Sequence, residues 1–157
     1  MVPPTIPLLA IDPGNTHSAW VRRIGGQIAS YGYGPNDDVL AVVRAGPPLG
    51  VLAIEMIASY GMAVGREVFD TCRWIGRFEQ VGLTAGCIVR LVYRAEVKMH
   101  LCHSMRAKDA NIRQALIDKL GPPGKKKSPG PTYGISGDVW AALAVAVTAA
   151  ETPEPTR

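Results

Sequence analysis

Two short runs in this chain are apolar at every position and end in a carboxylate. Leu8-Leu9-Ala10-Ile11 runs into Asp12, and Val51-Leu52-Ala53-Ile54 runs into Glu55. Both read as buried strands. The second, apolar on both faces, suits a central strand covered by helices. A strand of that kind commits the chain to an α/β layer architecture. The carboxylates add a second constraint, because an acid beside a core segment costs free energy unless it is paired or bound to a cation. A third acid, Asp138, opens the apolar segment Val139-Trp140-Ala141-Ala142-Leu143-Ala144. Three such acids in one small chain suggest a shared cation. Hard divalent ions such as Mg²⁺ take oxygen ligands of this type.

The pattern along the chain fills in the layers. Met1 to Pro7 reads as a loose, Pro-rich leader. Leu8–Asp12, Ser18–Arg23 and Gln27–Tyr33 read as three strands joined by the turn clusters Pro13-Gly14-Asn15-Thr16 and Gly25, an antiparallel meander. A helix follows, capped by Asn36 or Asp37 and stopped by Gly46-Pro47-Pro48. Gly50–Glu55 is the fourth strand. A loop, Ala58–Met62, leads to a long helix from Gly65 to Val81. Gly86–Tyr93 holds a fifth strand. Helical patterns cover Ala95–His103 and Lys108–Leu120. Gly121–Gly134 reads as a linker with a Lys125-Lys126-Lys127 run. Ser136 is placed to cap the last helix, Gly137–Ala149. The tail from Glu151 to Arg157 is polar, Pro-rich and expected to be disordered. The sum is a single α/β domain over 8–150, with a five-stranded mixed sheet flanked by helices.

Composition narrows the classes of partner. The net charge of +4 favours an acidic partner such as nucleic acid, although an ordinary basic protein fits it equally well. Cys72, Cys87 and Cys102 form no CxxC pair, which argues against a disulfide framework or structural zinc and for a reducing cytoplasm. His100 and His103 flank Cys102 but lack a fourth ligand, so they read as helix-surface residues. No apolar run approaches the ~20 residues that span a bilayer.

Asp12 and Glu55 share a sheet edge if their strands are parallel neighbours, and open α/β sheets bind ligands outside their strand carboxyl ends. Asp138 would start a helix crossing that edge. Two metal ions ~4 Å apart in such a site can activate water and stabilise the leaving oxygen in phosphodiester cleavage. Taken singly, Asp12 before Pro13-Gly14 also fits a turn residue, and Asp138 a helix cap. Glu55 has no such alternative. The lysine run suits phosphate contacts or a solvated linker.

The order Ile11-Asp12-Pro13-Gly14-Asn15-Thr16-His17-Ser18, then Ala53-Ile54-Glu55, then Asp138 before Ala142-Leu143-Ala144, resembles the RuvC family of Holliday junction resolvases. These belong to the ribonuclease H-like superfamily, and the likeness is greatest to the small bacteriophage members. The resemblance runs from about Leu8 to Ala149. It implies a Mg²⁺- or Mn²⁺-dependent endonuclease with two ions per site, acting on four-way or branched DNA as a homodimer in the cytoplasm, that of the host if phage-encoded. Paired nicks would leave 5′-phosphate and 3′-hydroxyl ends.

By the same resemblance Asp12 bridges the metals, Glu55 and Asp138 each help hold one, and Lys98 and Lys108 approach DNA. The loop bearing Tyr60 and Met62 probes the junction centre, and Lys125, Lys126 and Lys127 grip the DNA. The long helix around Arg73 to Phe78 forms the expected dimer face, with Trp74 and Phe78 serving as its aromatic anchors or, alternatively, packing in the core. Where the family carries a second acid near the last helix, this chain has Ala141. His17 and Asp109 are candidate substitutes. Other readings are a nuclease acting on RNA–DNA hybrids or general branched DNA, and a junction-binding domain without catalysis.

Overall fold

The computed structural model describes residues 2–3, 5–46 and 50–154. The expected stop at Pro47-Pro48, the positions Met1 and Pro4 of the leader and the last three residues of the tail lie outside them. Five strands form one sheet in the order β3-β2-β1-β4-β5: β1 (Leu8–Asp12), β2 (His17–Ile24), β3 (Gln27–Pro35), β4 (Val51–Met56) and β5 (Ile88–Tyr93). The first three are antiparallel, as their short turns require. β4 joins β1 in parallel and β5 joins β4 in parallel. The crossovers carry α1 (Asn36–Arg44) and α2 (Arg66–Thr84), and α3 (Arg94–Cys102), α4 (Asp109–Leu120) and α5 (Val139–Glu151) follow β5. A two-residue-turn hairpin, β6 (Gly124–Lys125) with β7 (Ser128–Pro129), interrupts the expected linker.

Side-chain alternation divides the core in two. Leu9, Ile11, Leu52 and Ile54 face α1 and α2, where Val39, Val43, Ile75 and Phe78 cover them. Leu8, Ala10, Val51 and Ala53 face α5, with α3 and α4 beyond it. α5 is apolar on nearly all sides because it is the middle layer: the sheet lies beneath it and α3 and α4 above. Its alanines let it approach the sheet closely. No helix among the described residues is long and apolar enough to cross a membrane.

Several local expectations shift. Pro35, not Asn36 or Asp37, sits at the N-cap of α1, and no side chain caps it. Phe78, expected as a dimer anchor, is fully buried in the core. The reason is spacing: Thr71, Ile75, Phe78 and Gly82 form the inward stripe of α2. Trp74 is half-buried beside it, with the Arg77 guanidinium 4.5 Å from its ring centre. At the chain start, Val2 donates its amide to the Ala150 carbonyl (3.0 Å), and Val2 and Ile6 pack on the core.

Candidate functional site

Asp12 and Glu55 stand side by side by register. Ile11 pairs with Ile54 across the parallel β1–β4 ladder, so each carboxylate is the next residue on its strand. Alternation sends both toward α5: Asp12 continues Leu8 and Ala10, and Glu55 continues Val51 and Ala53. The same rule on β5 takes Arg90 and Val92 to that face and brings Arg94, the first residue of α3, to the same edge. Asp138 occupies the N-cap position of α5 but makes no capping hydrogen bond. Its carboxylate is therefore not spent on the helix end.

These residues line one cavity of about 450 Å³. Asp12, Glu55 and Asp138 meet there with Asp109, Arg94, Arg113 and Trp140, and Ala141 forms part of the wall. Burial, then the charges of Glu55 and Asp138, push the Asp12 carboxyl up to about 8, against the pull of Arg94. Burial also raises Glu55; Arg94 opposes that shift and Asp109 adds to it. Glu55 Oε2 is buried without a hydrogen-bond partner. Arg94 binds the Asp109 carboxylate, tying the start of α3 to the start of α4. Among the described residues, no three His, Cys, Asp or Glu side chains form a ready-made metal-ligand cluster. The acids share a cavity without converging on a point, and neighbouring carboxylates add to the proton affinity of Asp12 and Glu55.

The loop after Asp12 is held by a buried polar network. Gly14 N–H donates to Ser18 Oγ (3.1 Å), Ser18 Oγ donates to Asn36 Oδ1 (2.6 Å), and Asn36 Nδ2 donates to the Gly14 carbonyl (2.9 Å). The Asn36 backbone N–H also donates to the Thr16 carbonyl (2.9 Å). Gly14 itself admits no side chain, because a Cβ there would collide with the His17 carbonyl. Asn36 is thus the keystone of the loop rather than a helix cap. Asn36→Ala is expected to cost about 1–3 kcal/mol, because it strands Ser18 and a backbone carbonyl in a dry site. Urea unfolding of the variant measures this.

The remaining candidate residues disperse. Lys108 caps α4 beside Asp109, and Lys98 lies one turn into α3; neither lines the cavity. His17 is exposed at the start of β2, stacked on Tyr33, and takes no part in the cavity. Asp109 does. Tyr60 and Met62 are exposed in a tight turn closed by Met62 N–H to the Ser59 carbonyl (2.9 Å), with positive φ at Tyr60 (50°) and Gly61 (78°).

Lys125, Lys126 and Lys127 lie on the exposed hairpin at the opposite end of the sheet from the acids. Leu8 pairs with Arg23 and Asp12 with Ala19, so the β2–β3 turn marks the end remote from Asp12. The foot of the hairpin, Pro129 to Pro131, packs near Gly26, Gln27 and Leu120 of that end. α4 spans the interval from Asp109 to Leu120, about 16 Å at ~1.5 Å per residue.

A mixed sheet in the order β3-β2-β1-β4-β5, flanked by helices, is a ribonuclease H-like α/β fold. Within that fold class the chain has the RuvC fold. It is similar to Thermus thermophilus RuvC in complex with Holliday junction substrate, with a TM-score of 0.64 and 18% identity over 91% of this chain and 92% of that one. A second structure of Thermus thermophilus RuvC gives a TM-score of 0.62 and 19% identity over the same shares. No protein-family model and no curated protein sequence matches the chain.

Proposed function

We propose that this protein is a divalent-metal-dependent endonuclease that resolves four-way DNA junctions. The observation that carries the reading is the side-by-side placement of Asp12 and Glu55 facing Asp138 in one cavity, with a Glu55 oxygen left buried and unpartnered. An all-oxygen donor set of this kind fits a hard cation such as Mg²⁺ or Mn²⁺. Asp12, between the other two acids, would hold it jointly with Glu55 and Asp138. When bound, the ion supplies Lewis-acid stabilisation of charge building on the phosphate and lowers the proton affinity of water. The chain's own residues do the rest. The raised proton affinities of Asp12 and Glu55 record how strongly the cavity seeks positive charge. Arg94 supplies part of it, and Asp109 holds Arg94 in place.

A junction presents two equivalent strands to cut, which a two-fold symmetric dimer would match. The exposed stripe Phe69, Arg73, Gly76, Gln80 and Leu83 on α2 is the surface we assign to that dimer. The exposed lysine hairpin, remote from the acids, suits a contact with a junction arm. The likeness to RuvC bound to a junction substrate supports this reading. The test is cleavage of a labelled immobile junction, a flap and an RNA–DNA hybrid, with and without Mg²⁺. Junction-selective, Mg²⁺-dependent paired nicks are expected; equal cutting of all substrates would defeat the assignment.

Tyr60 gives a separate prediction. An aromatic residue with positive φ at an exposed turn is conformationally costly and has no core to serve. It suits stacking on unpaired bases at the crossover. Tyr60→Asn, which tolerates positive φ, is expected to leave thermal stability unchanged or slightly raised. Junction cleavage should fall about 10-fold, at ~1–3 kcal/mol per stacked base.

A further inference from the structure

Arg113 stands out among the cations of the cavity. It projects from α4 one turn after Asp109, yet Asp109 pairs with Arg94. Among the described residues Arg113 makes no ion pair, and no hydrogen bond from its side chain is found. Its guanidinium lies instead over the Trp140 ring, 5.7 Å from the centre. Both residues line the carboxylate cavity. Arg113 is exposed and Trp140 half-buried, so the indole forms a fixed platform and the guanidinium a solvent-facing cation upon it. Arg94 is half-buried and holds down the proton affinity of both Asp12 and Glu55, whereas Arg113 is exposed. Arg94 is therefore the inner cation and Arg113 the rim cation.

A phosphodiester strand entering this cavity meets Asp12, Glu55 and Asp138, and needs positive charge along its path as well as at the cut. Arg94 is already engaged. A guanidinium over an indole face, without an ion-pair or hydrogen-bond partner among the described residues, has its N–H donors available to a phosphate. We propose that Arg113, positioned by Trp140, binds the DNA phosphate next to the one that is cut and so sets the strand's path across the acids. This rests on the nuclease reading above and extends it to residues that hold substrate rather than metal.

The test is equilibrium binding of a labelled four-way junction, and of a duplex with the same arm sequence, in EDTA over a range of salt concentrations. Arg113→Ala should weaken junction binding about 3- to 10-fold at low salt. It should also lower the slope of log affinity against log salt by about one phosphate contact. Trp140→Leu, which keeps bulk without a π face, should weaken binding in the same direction but keep the wild-type slope, since the cation remains. Circular dichroism and melting temperature confirm that each variant is folded. Cleavage with Mg²⁺ at limiting junction should slow in Arg113→Ala as the half-saturating concentration rises. An unchanged affinity and slope for Arg113→Ala overturns the proposal. A wild-type protein that binds junction and duplex alike, but loses slope in Arg113→Ala, keeps the phosphate contact and sinks the junction assignment instead.

Discussion

Asp12→Asn is expected to abolish Mg²⁺-dependent junction cleavage, by on the order of 10³-fold or more, while making the metal-free protein more stable. The two effects have one cause. Asp12 is gathered with Glu55 and Asp138 in a partly dry cavity, and its carboxyl is held up to about 8 from an ordinary 3.8. Between those values the folded chain binds a proton that the unfolded chain has released. Stability is therefore lost as pH rises from about 4 toward 8, at up to about 1.4 kcal/mol per pH unit. Water reaching a half-buried carboxyl reduces the total to ~1–3 kcal/mol.

Asparagine removes that penalty without changing shape. In EDTA at pH 8 the variant should melt about 3–8 °C above wild type, at ~2–4 °C per kcal/mol for a chain of this size. At pH 4.5 the gap should nearly close. Mg²⁺ should raise the wild-type melting temperature at pH 8 and leave that of the variant almost unmoved. A variant that melts below wild type at pH 8, or by the same margin at both pH values, would show that the acids are not in electrostatic conflict.

Much of this site was legible in the sequence for a definite reason. Strand parity is a local property. Once Leu8–Ile11 and Val51–Ile54 are read as buried parallel neighbours, the next residue on each must sit at the same edge. That places Asp12 beside Glu55 without any knowledge of the rest. The order of strands and helices followed equally directly from apolar period and turn residues.

The parts that were not legible depend on which helix lies over which edge. Arg94 follows from parity on β5, but only after the register of β5 against β4 is known. Arg113 and Trp140 belong to helices nearly thirty positions apart, and their meeting depends on how α4 and α5 pack. Asn36 resembles a helix cap in sequence, because the loop it secures lies about twenty residues earlier. The lysine run carries charge but no information about distance. The pairing of β1 with β2 and the length of α4 are what separate it from the acids.

The aromatic residues of α2 carry the same lesson into an expected result. Phe78 and Phe69 lie on one helix nine residues apart, and periodicity alone assigns neither to core or interface. In the fold Phe78 is fully buried against Leu52 and Ile54, while Phe69 is 60% exposed. Phe78→Ala should cost about 3–5 kcal/mol, because it removes a large buried side chain and leaves a cavity between α2 and the sheet. Much of a typical domain's stability would be gone, and the loss should be the same at every protein concentration. Phe69→Ala should change the stability of the isolated protomer by under about 0.5 kcal/mol, as an exposed residue does. If α2 is the dimer face, Phe69→Ala should shift sedimentation at micromolar concentration toward monomer and slow junction cleavage while leaving the fold intact. The cost of Phe78→Ala measures the packing that holds β4, and with it Glu55, in register. The effect of Phe69→Ala measures whether α2 carries a contact between two copies of the chain. A Phe69→Ala protein that sediments as wild type would move the dimer surface off this stripe.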